Sequence, residues 1–332
     1  MFWKIQNGII YTKRLEINVV HHCNLSCRGC SHLSPRLPKY FVSPDKLLSD
    51  LTVLSQYCRP ERISLIGGEP LLHPDLPDIM NIVRKSGVSN KIRVVTNGLL
   101  LHRMTDPFWE NVDEVVVSLY PSHPMKVRDL VVFKERAKKN AVYLELRYQD
   151  HFSEAFLETA NSNDALVRRI YQTCTAPRAA CCHTLYEGYY YKCPKSVFIP
   201  LAYNERYNGD VFDNGIRIGG SDKPADALAT YLSAEDPLNA CRYCLGSVGK
   251  RFTPEQTGRR NIPQNSSPEG LIDWQRLENL ESKRGLALPV WLQSTLTKTN
   301  AIISVLPPWV LLSPLLRRSV TALSDMKRKY LK

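Results

Sequence analysis

The sequence predicts an α/β fold: a partial (β/α) barrel, then a small cysteine-rich domain and a basic, partly helical C-terminal extension. Three observations predict it. Short β-branched runs alternate with longer segments of helical periodicity up to about residue 147, six cysteines gather between residues 174 and 244, and Lys and Arg are in excess from Arg251 onward. Such alternation marks successive βα units around a mostly parallel sheet.

Five strands are read at residues 15–20, 62–66, 91–95, 114–118 and 142–146, rich in Val, Ile and Leu as strands covered on both faces should be. Residues 43–57 open with Ser43-Pro44-Asp45 and space Leu47, Leu48, Leu51 and Leu54 along one side, a start signal followed by an amphipathic helix. Residues 75–86 and 125–139 read the same way. Functional groups are expected on the loops at the carboxyl ends of the strands. Further on, residues 152–171 predict a helix, and residues 185–192 a hairpin turning at Glu187-Gly188. The expected domains are 12–172 for the barrel, 173–250 for the cysteine-rich unit and 251–332 for the extension.

With 43% hydrophobic and 23% charged residues in a chain of 332, the composition is that of a globular protein and excludes a fibre or a disordered chain. The net charge is +12, and from Arg251 to the end thirteen Lys/Arg face six Asp/Glu, an excess of seven. This favours an anionic partner, whether nucleic acid, membrane surface or phosphorylated substrate, without choosing among them. Residues 301–316 are apolar but interrupted by Pro307, Pro308 and Pro314 and followed by Arg317 and Arg318, too short a stretch to span a bilayer. An anionic membrane surface is a candidate partner for it. Packing on the barrel or on a partner chain is the ordinary alternative. At the start, Lys4, Lys13 and Arg14 interrupt any apolar run, so no secretory signal is read and the cytoplasm is the expected location. Clustered thiols there serve more often as metal ligands or catalytic groups than as disulfides.

Cys23, Cys27 and Cys30 stand at C-x3-C-x2-C spacing immediately after the first buried strand. Three thiolates on one tight loop can hold three irons of a [4Fe–4S] cube and leave the fourth iron open. A zinc site completed by His21, His22 or His32 would use the same thiols. Gly67-Gly68-Glu69-Pro70 ends the second strand; alone it reads as a turn, or as backbone that a ligand can approach closely.

Together these two motifs resemble the radical S-adenosylmethionine (SAM) superfamily, over roughly the first half of the chain. The resemblance implies that the open iron chelates the amino and carboxylate groups of SAM. Reductive cleavage then gives methionine and a 5′-deoxyadenosyl radical that abstracts hydrogen from substrate, with electrons from an external donor such as flavodoxin or ferredoxin. It implies cofactor-binding roles for Gly67, Gly68 and Glu69, for Thr96 and Asn97 after the third strand, for Ser118 ending the fourth, and for Arg147 ending the fifth. A guanidinium fork suits a carboxylate, although an ordinary ion pair is the alternative for Arg147. In one respect the chain departs from the family. Gly29 stands where an aromatic residue commonly lies near the adenine, with Phe41, His32 or a backbone contact as substitutes.

Cys174, then Gly188 five residues before Cys193, then the closing pair Cys241 and Cys244, resemble the auxiliary-cluster domains called SPASM and twitch. The resemblance implies one auxiliary [4Fe–4S] cluster on Cys174, Cys193, Cys241 and Cys244, with Cys181 or Cys182 as a substitute for Cys174; a four-thiolate zinc ribbon is the alternative. Cys58 reads as a small core residue at the end of a helix. The function implied is an oxidoreductase whose auxiliary cluster accepts an electron. Its substrate would be a sugar or nucleotide-linked carbohydrate or, alternatively, a peptide. A competing class is a non-catalytic zinc protein whose tail docks nucleic acid or membrane. That class explains the cysteines but not the placement of the loops, so a nucleic-acid partner is not expected. No residue stands out as a base or hydrogen donor.

Overall fold

A computed structural model describes residues 3–257 and 267–282. The chain opens with the short strands β1 (Trp3–Gln6) and β2 (Ile9–Thr12) before the first barrel strand, β3 (Leu15–Val20). Next come α1 (Pro44–Leu54), β4 (Cys58–Pro60), β5 (Ile63–Gly67), α2 (Leu76–Ser86), β6 (Ile92–Thr96), α3 (Asp106–Asn111), β7 (Glu114–Leu119), α4 (Val127–Lys139) and β8 (Tyr143–Tyr148). The five barrel strands fall within a residue or two of the expected spans. Their run β3-β5-β6-β7-β8 is parallel throughout, an α/β layer that does not close into a full barrel.

Local chemistry explains the helices. Ser43 caps α1 by accepting from the Lys46 amide, Pro44 sits in the first turn, and Leu47, Leu51 and Leu54 are buried against the sheet. Gly87 ends α2 in the left-handed conformation. The first helix stops short of the expected residue 57, because the chain turns there to start β4. Cys58 is accordingly buried on a strand rather than at a helix end.

The expected helix at 152–171 is corrected: only α5 (Asp164–Thr173) forms, after the two-residue strand β9 (Phe152–Ser153). The backbone between them bonds to a later segment instead of to its own next turn, through Leu157 N–H to Tyr243 O (3.0 Å) and Asn161 N–H to Arg242 O (2.8 Å). The Asn163 side chain then caps α5 by accepting from Leu166 N–H.

The hairpin forms as expected, with β10 (His183–Tyr186) and β11 (Tyr189–Tyr191) joined by Glu187 and Gly188, both at positive φ. The sequence did not disclose that β10 lies parallel to β3, so that the hairpin and β12 (Gly215–Arg217) extend the barrel sheet to eight strands in the order β12-β11-β10-β3-β5-β6-β7-β8. The helix α6 (Lys195–Tyr203) precedes β12 and carries a second apolar cluster; α7 (Pro224–Ser233) follows it. Last among the described residues come β13 (Arg251–Phe252), paired with β9, and the helices α8 (Pro268–Leu271) and α9 (Trp274–Ser282). Among the described residues no helix is long and apolar enough to cross a membrane. The stretch read at 301–316, with Arg317 and Arg318, lies outside the described residues.

Candidate active site and metal centres

The Cys23–Cys30 loop leaves the carboxyl end of β3, and the loop after β5 packs directly on it. Gly68 N–H bonds to Val20 O (2.7 Å) and Glu69 N–H to His22 O (3.1 Å). No side chain fits between them: a Cβ on Gly67 would stand 2.1 Å from Val20 O, and one on Gly68 2.0 Å from His22 O. These glycines give room to the backbone of β3 and of the cysteine loop.

Glu69 is fully buried and its carboxylate faces the protein. It accepts from Thr96 Oγ1 (2.6 Å), Asn97 N–H (2.8 Å) and Leu71 N–H (3.0 Å), tying the end of β5 to the end of β6. Burial pushes its pKa up to about 7, against the pull of those three donors. Asn97 carries the tie onward: its amide donates to Asn24 Oδ1 (2.7 Å) and, at 3.7 Å, to Cys23 Sγ. Ser118 is buried on β7, in register with Arg147 on β8. Arg147 pairs with Glu145, Nε and Nη2 lying 3.0 and 2.9 Å from one carboxylate oxygen.

Donors converge on the sulfurs. Cys23 Sγ also accepts from Leu25 N–H (3.4 Å), and Cys27 Sγ from Gln256 Nε2 (3.2 Å). Burial pushes the thiols of Cys23 and Cys27 up, to about 12 and about 11, so thiolates here need a positive ligand as well as these donors. Three sulfurs on one loop, with N–H groups aimed at those of Cys23 and Cys27, fit a cluster bound through thiolate. Among the described residues no three His, Cys, Asp or Glu side chains close on one point as ligands of a single ion would. The thiolates of a cube sit on different irons and stand further apart.

Gly29, at φ +65°, lies under the Phe252 ring: a Cβ there would come within 2.6 Å of Phe252 Cζ. Phe41 packs edge-on against His22 and His73, and the half-buried His32 lies beside Phe198. Phe252 itself gave no signal in the sequence. Tyr120, two residues past Ser118, was also overlooked. Its hydroxyl shares a hydrogen bond with Ser118, and burial together with the nearby Cys27, Cys30 and Cys23 sulfurs raises its pKa.

Cys174, Cys193, Cys241 and Cys244 line one cavity of about 480 Å³, open solvent included, together with Lys192 and Lys195. Neither Cys181 nor Cys182 lines it. Cys181 Sγ donates to Arg178 O (2.9 Å), and Cys182 Sγ accepts from Arg14 Nη2 (2.7 Å) beside buried Glu16. Burial works to lower the Lys195 ammonium's pKa, but the Cys244, Cys174 and Cys193 sulfurs outweigh it and raise the value. Gly246 N–H donates to Cys244 Sγ (3.2 Å). Four sulfurs with cations and an N–H around one cavity fit an anionic thiolate-bound cluster.

Residues 17–139 match the family model described as the radical SAM superfamily. The chain is 29% identical over 102 residues to a GTP 3′,8-cyclase of Microcystis aeruginosa, covering 29% of this chain and 30% of that protein. It is 34% identical over 107 residues to a GTP 3′,8-cyclase of Chlorobaculum tepidum, covering 32% of each. The chain thus spans about a third of the length of the curated relatives it matches. Among solved structures it is similar to BtrN in complex with AdoMet and 2-DOIA, with 16% identity, a TM-score of 0.44, and coverage of 76% of this chain and 97% of that one. The stretch similar to the radical SAM superfamily, residues 17–139, is the one that holds the cysteine loop and the strands that carry it.

Proposed function

We propose that the protein is a radical SAM oxidoreductase with two clusters, the first on Cys23, Cys27 and Cys30 and an auxiliary one on Cys174, Cys193, Cys241 and Cys244. The observation that carries this reading is the union of three strand ends. The cysteine loop after β3 is bonded to Gly68 and Glu69 after β5, and Glu69 and Asn97 bring in the end of β6. With cluster and SAM bound, the pair supplies the 5′-deoxyadenosyl radical that takes hydrogen from substrate. The chain's own part is to hold that assembly: Glu69 and Asn97 fix the loops, and Ser118 and Arg147 offer a hydroxyl and a guanidinium on adjacent strands. The four cysteines around one cavity support the auxiliary cluster as acceptor of the second electron.

A phosphorylated or nucleotide-linked carbohydrate is the proposed substrate class. Two relatives are named for GTP, and the +12 charge suits an anion. The division into a barrel, an auxiliary unit and an extension, a cytoplasmic location, and a flavodoxin or ferredoxin as electron donor belong to the same reading. Anaerobic purification tests it. Brown protein with about seven to eight irons that releases 5′-deoxyadenosine on reduction with SAM supports it. Colourless zinc-loaded protein overturns it.

A further inference from the structure

The segment following the last cysteine pair returns across the barrel and straps the first cysteine loop. Arg28 N–H bonds to Glu255 O (3.0 Å) and Thr257 N–H to Ser26 O (2.8 Å), a two-bond bridge that sets Gln256 opposite Cys27. The Arg28 guanidinium pairs with Glu255 (2.8 Å) and lies 4.3 Å over the Phe252 ring.

Within this bridge the Gln256 side chain has only one consistent orientation. Its Oε1 accepts from Ser26 N–H at 2.8 Å, which turns the amide nitrogen toward Cys27 Sγ at 3.2 Å, with Ser122 Oγ at 3.5 Å. Reversing the amide would set NH2 against N–H and oxygen against sulfur. A backbone group of the loop therefore aims the donor at the loop's own sulfur.

We infer that Gln256 is a positioning residue for the first cluster: from 229 residues downstream it donates an N–H···S hydrogen bond to Cys27 and holds the cluster's reduction potential up. The inference rests on the reading of Cys27 as a cluster ligand. The reduced cluster carries one more negative charge than the oxidised one. A donor on a ligand sulfur stabilises the reduced form more, and its loss makes the cluster harder to reduce. The strap thereby makes the downstream segment part of the radical-generating site.

The test is a redox titration of anaerobically reconstituted full-length protein followed by electron paramagnetic resonance, with the first cluster's signal identified by its response to added SAM. Gln256→Leu removes the hydrogen bonds to Ser26, Cys27 and Ser122. Gln256→Glu keeps an acceptor for Ser26 N–H but cannot donate to sulfur when ionised. Both variants are expected to lower the midpoint potential of that signal, each tenfold loss in the one-electron equilibrium constant reading as about 59 mV, and to leave the auxiliary signal in place. If Gln256→Leu fails to hold the cluster, Gln256→Met, neutral and without an N–H to donate, decides in its place, because the added charge of Gln256→Glu lowers the potential by itself. A wild-type potential in a variant that keeps its cluster overturns the role of Gln256 and leaves the ligand assignment standing. A SAM-responsive signal that persists in Cys27→Ala overturns the ligand assignment itself.

Discussion

Phe252 occupies the space over Gly29, its Cζ 2.6 Å from where a Gly29 Cβ would be. An alanine at Gly29 therefore meets two penalties: the left-handed backbone, about 1 kcal/mol, and overpacking against the ring, about 1–3 kcal/mol. In a Phe252→Ala background only the first should remain. Denaturant midpoints of the four proteins in this cycle measure the difference; an equal cost of Gly29→Ala in both backgrounds would show that the ring does not fill that space.

Gly68→Ala places a methyl 2.0 Å from His22 O and 2.7 Å from His21 O, both backbone atoms that cannot swing aside. The expected outcome is displacement of the cysteine loop, with loss of about half the iron and a drop in stability of about 1–3 kcal/mol. Iron analysis and urea unfolding check it. A fully loaded variant would show that the two loops can separate without harm to the site.

The cavity assigns different fates to neighbouring thiols. Cys174→Ser should remove about four of roughly eight irons, whereas Cys182→Ser should remove none. The cost of Cys182→Ser falls on stability, because Arg14 Nη2 donates to that sulfur beside buried Glu16. Iron lost from Cys182→Ser and retained by Cys174→Ser would reverse the ligand assignment.

His183 gives a pH dependence of known sign. Its Nε2–H donates to Pro177 O (3.2 Å), its Nδ1 accepts from Tyr190 O–H (2.8 Å), and burial lowers its pKa to about 4. Above pH 6.5 the ring is neutral whether the chain is folded or not. As pH falls from 6.5 toward 4 only the unfolded imidazole binds a proton, so stability is lost across that window, about 3 kcal/mol in all. His183→Gln keeps both hydrogen bonds without the titration. Between pH 7.5 and 5.5 the wild type should lose about 1 kcal/mol more than the variant by urea unfolding, and equal losses would mean that the folded ring is charged.

The five barrel strands were legible because buried Val, Ile and Leu dominate each of them, with only single polar residues such as Glu16, Asn18 and Arg93 between; all six residues of Leu15–Val20 are buried. The helix expected over 152–171 was misread for the converse reason. The apolar residues Phe156 and Leu157 suit a helix locally, yet their backbone is claimed by residues 243 and 244, far along the chain. The turn at Glu187-Gly188 was visible from its residue types, but the pairing of β10 with the free edge of β3 was not. Nothing in either segment marks an edge as open.

By itself the sequence determined the alternation of strands and helices and the residue chemistry of two sulfur-rich regions, because periodicity and ligand spacing are properties of neighbours in the chain. Tertiary structure alone decided that Cys174 rather than Cys181 or Cys182 shares a cavity with Cys193, Cys241 and Cys244, that Glu69 turns inward as a strut, and that Gln256 reaches Cys27. Those relations depend on which donor meets which acceptor once distant segments are packed together, and packing is set by the whole core rather than by any stretch of sequence.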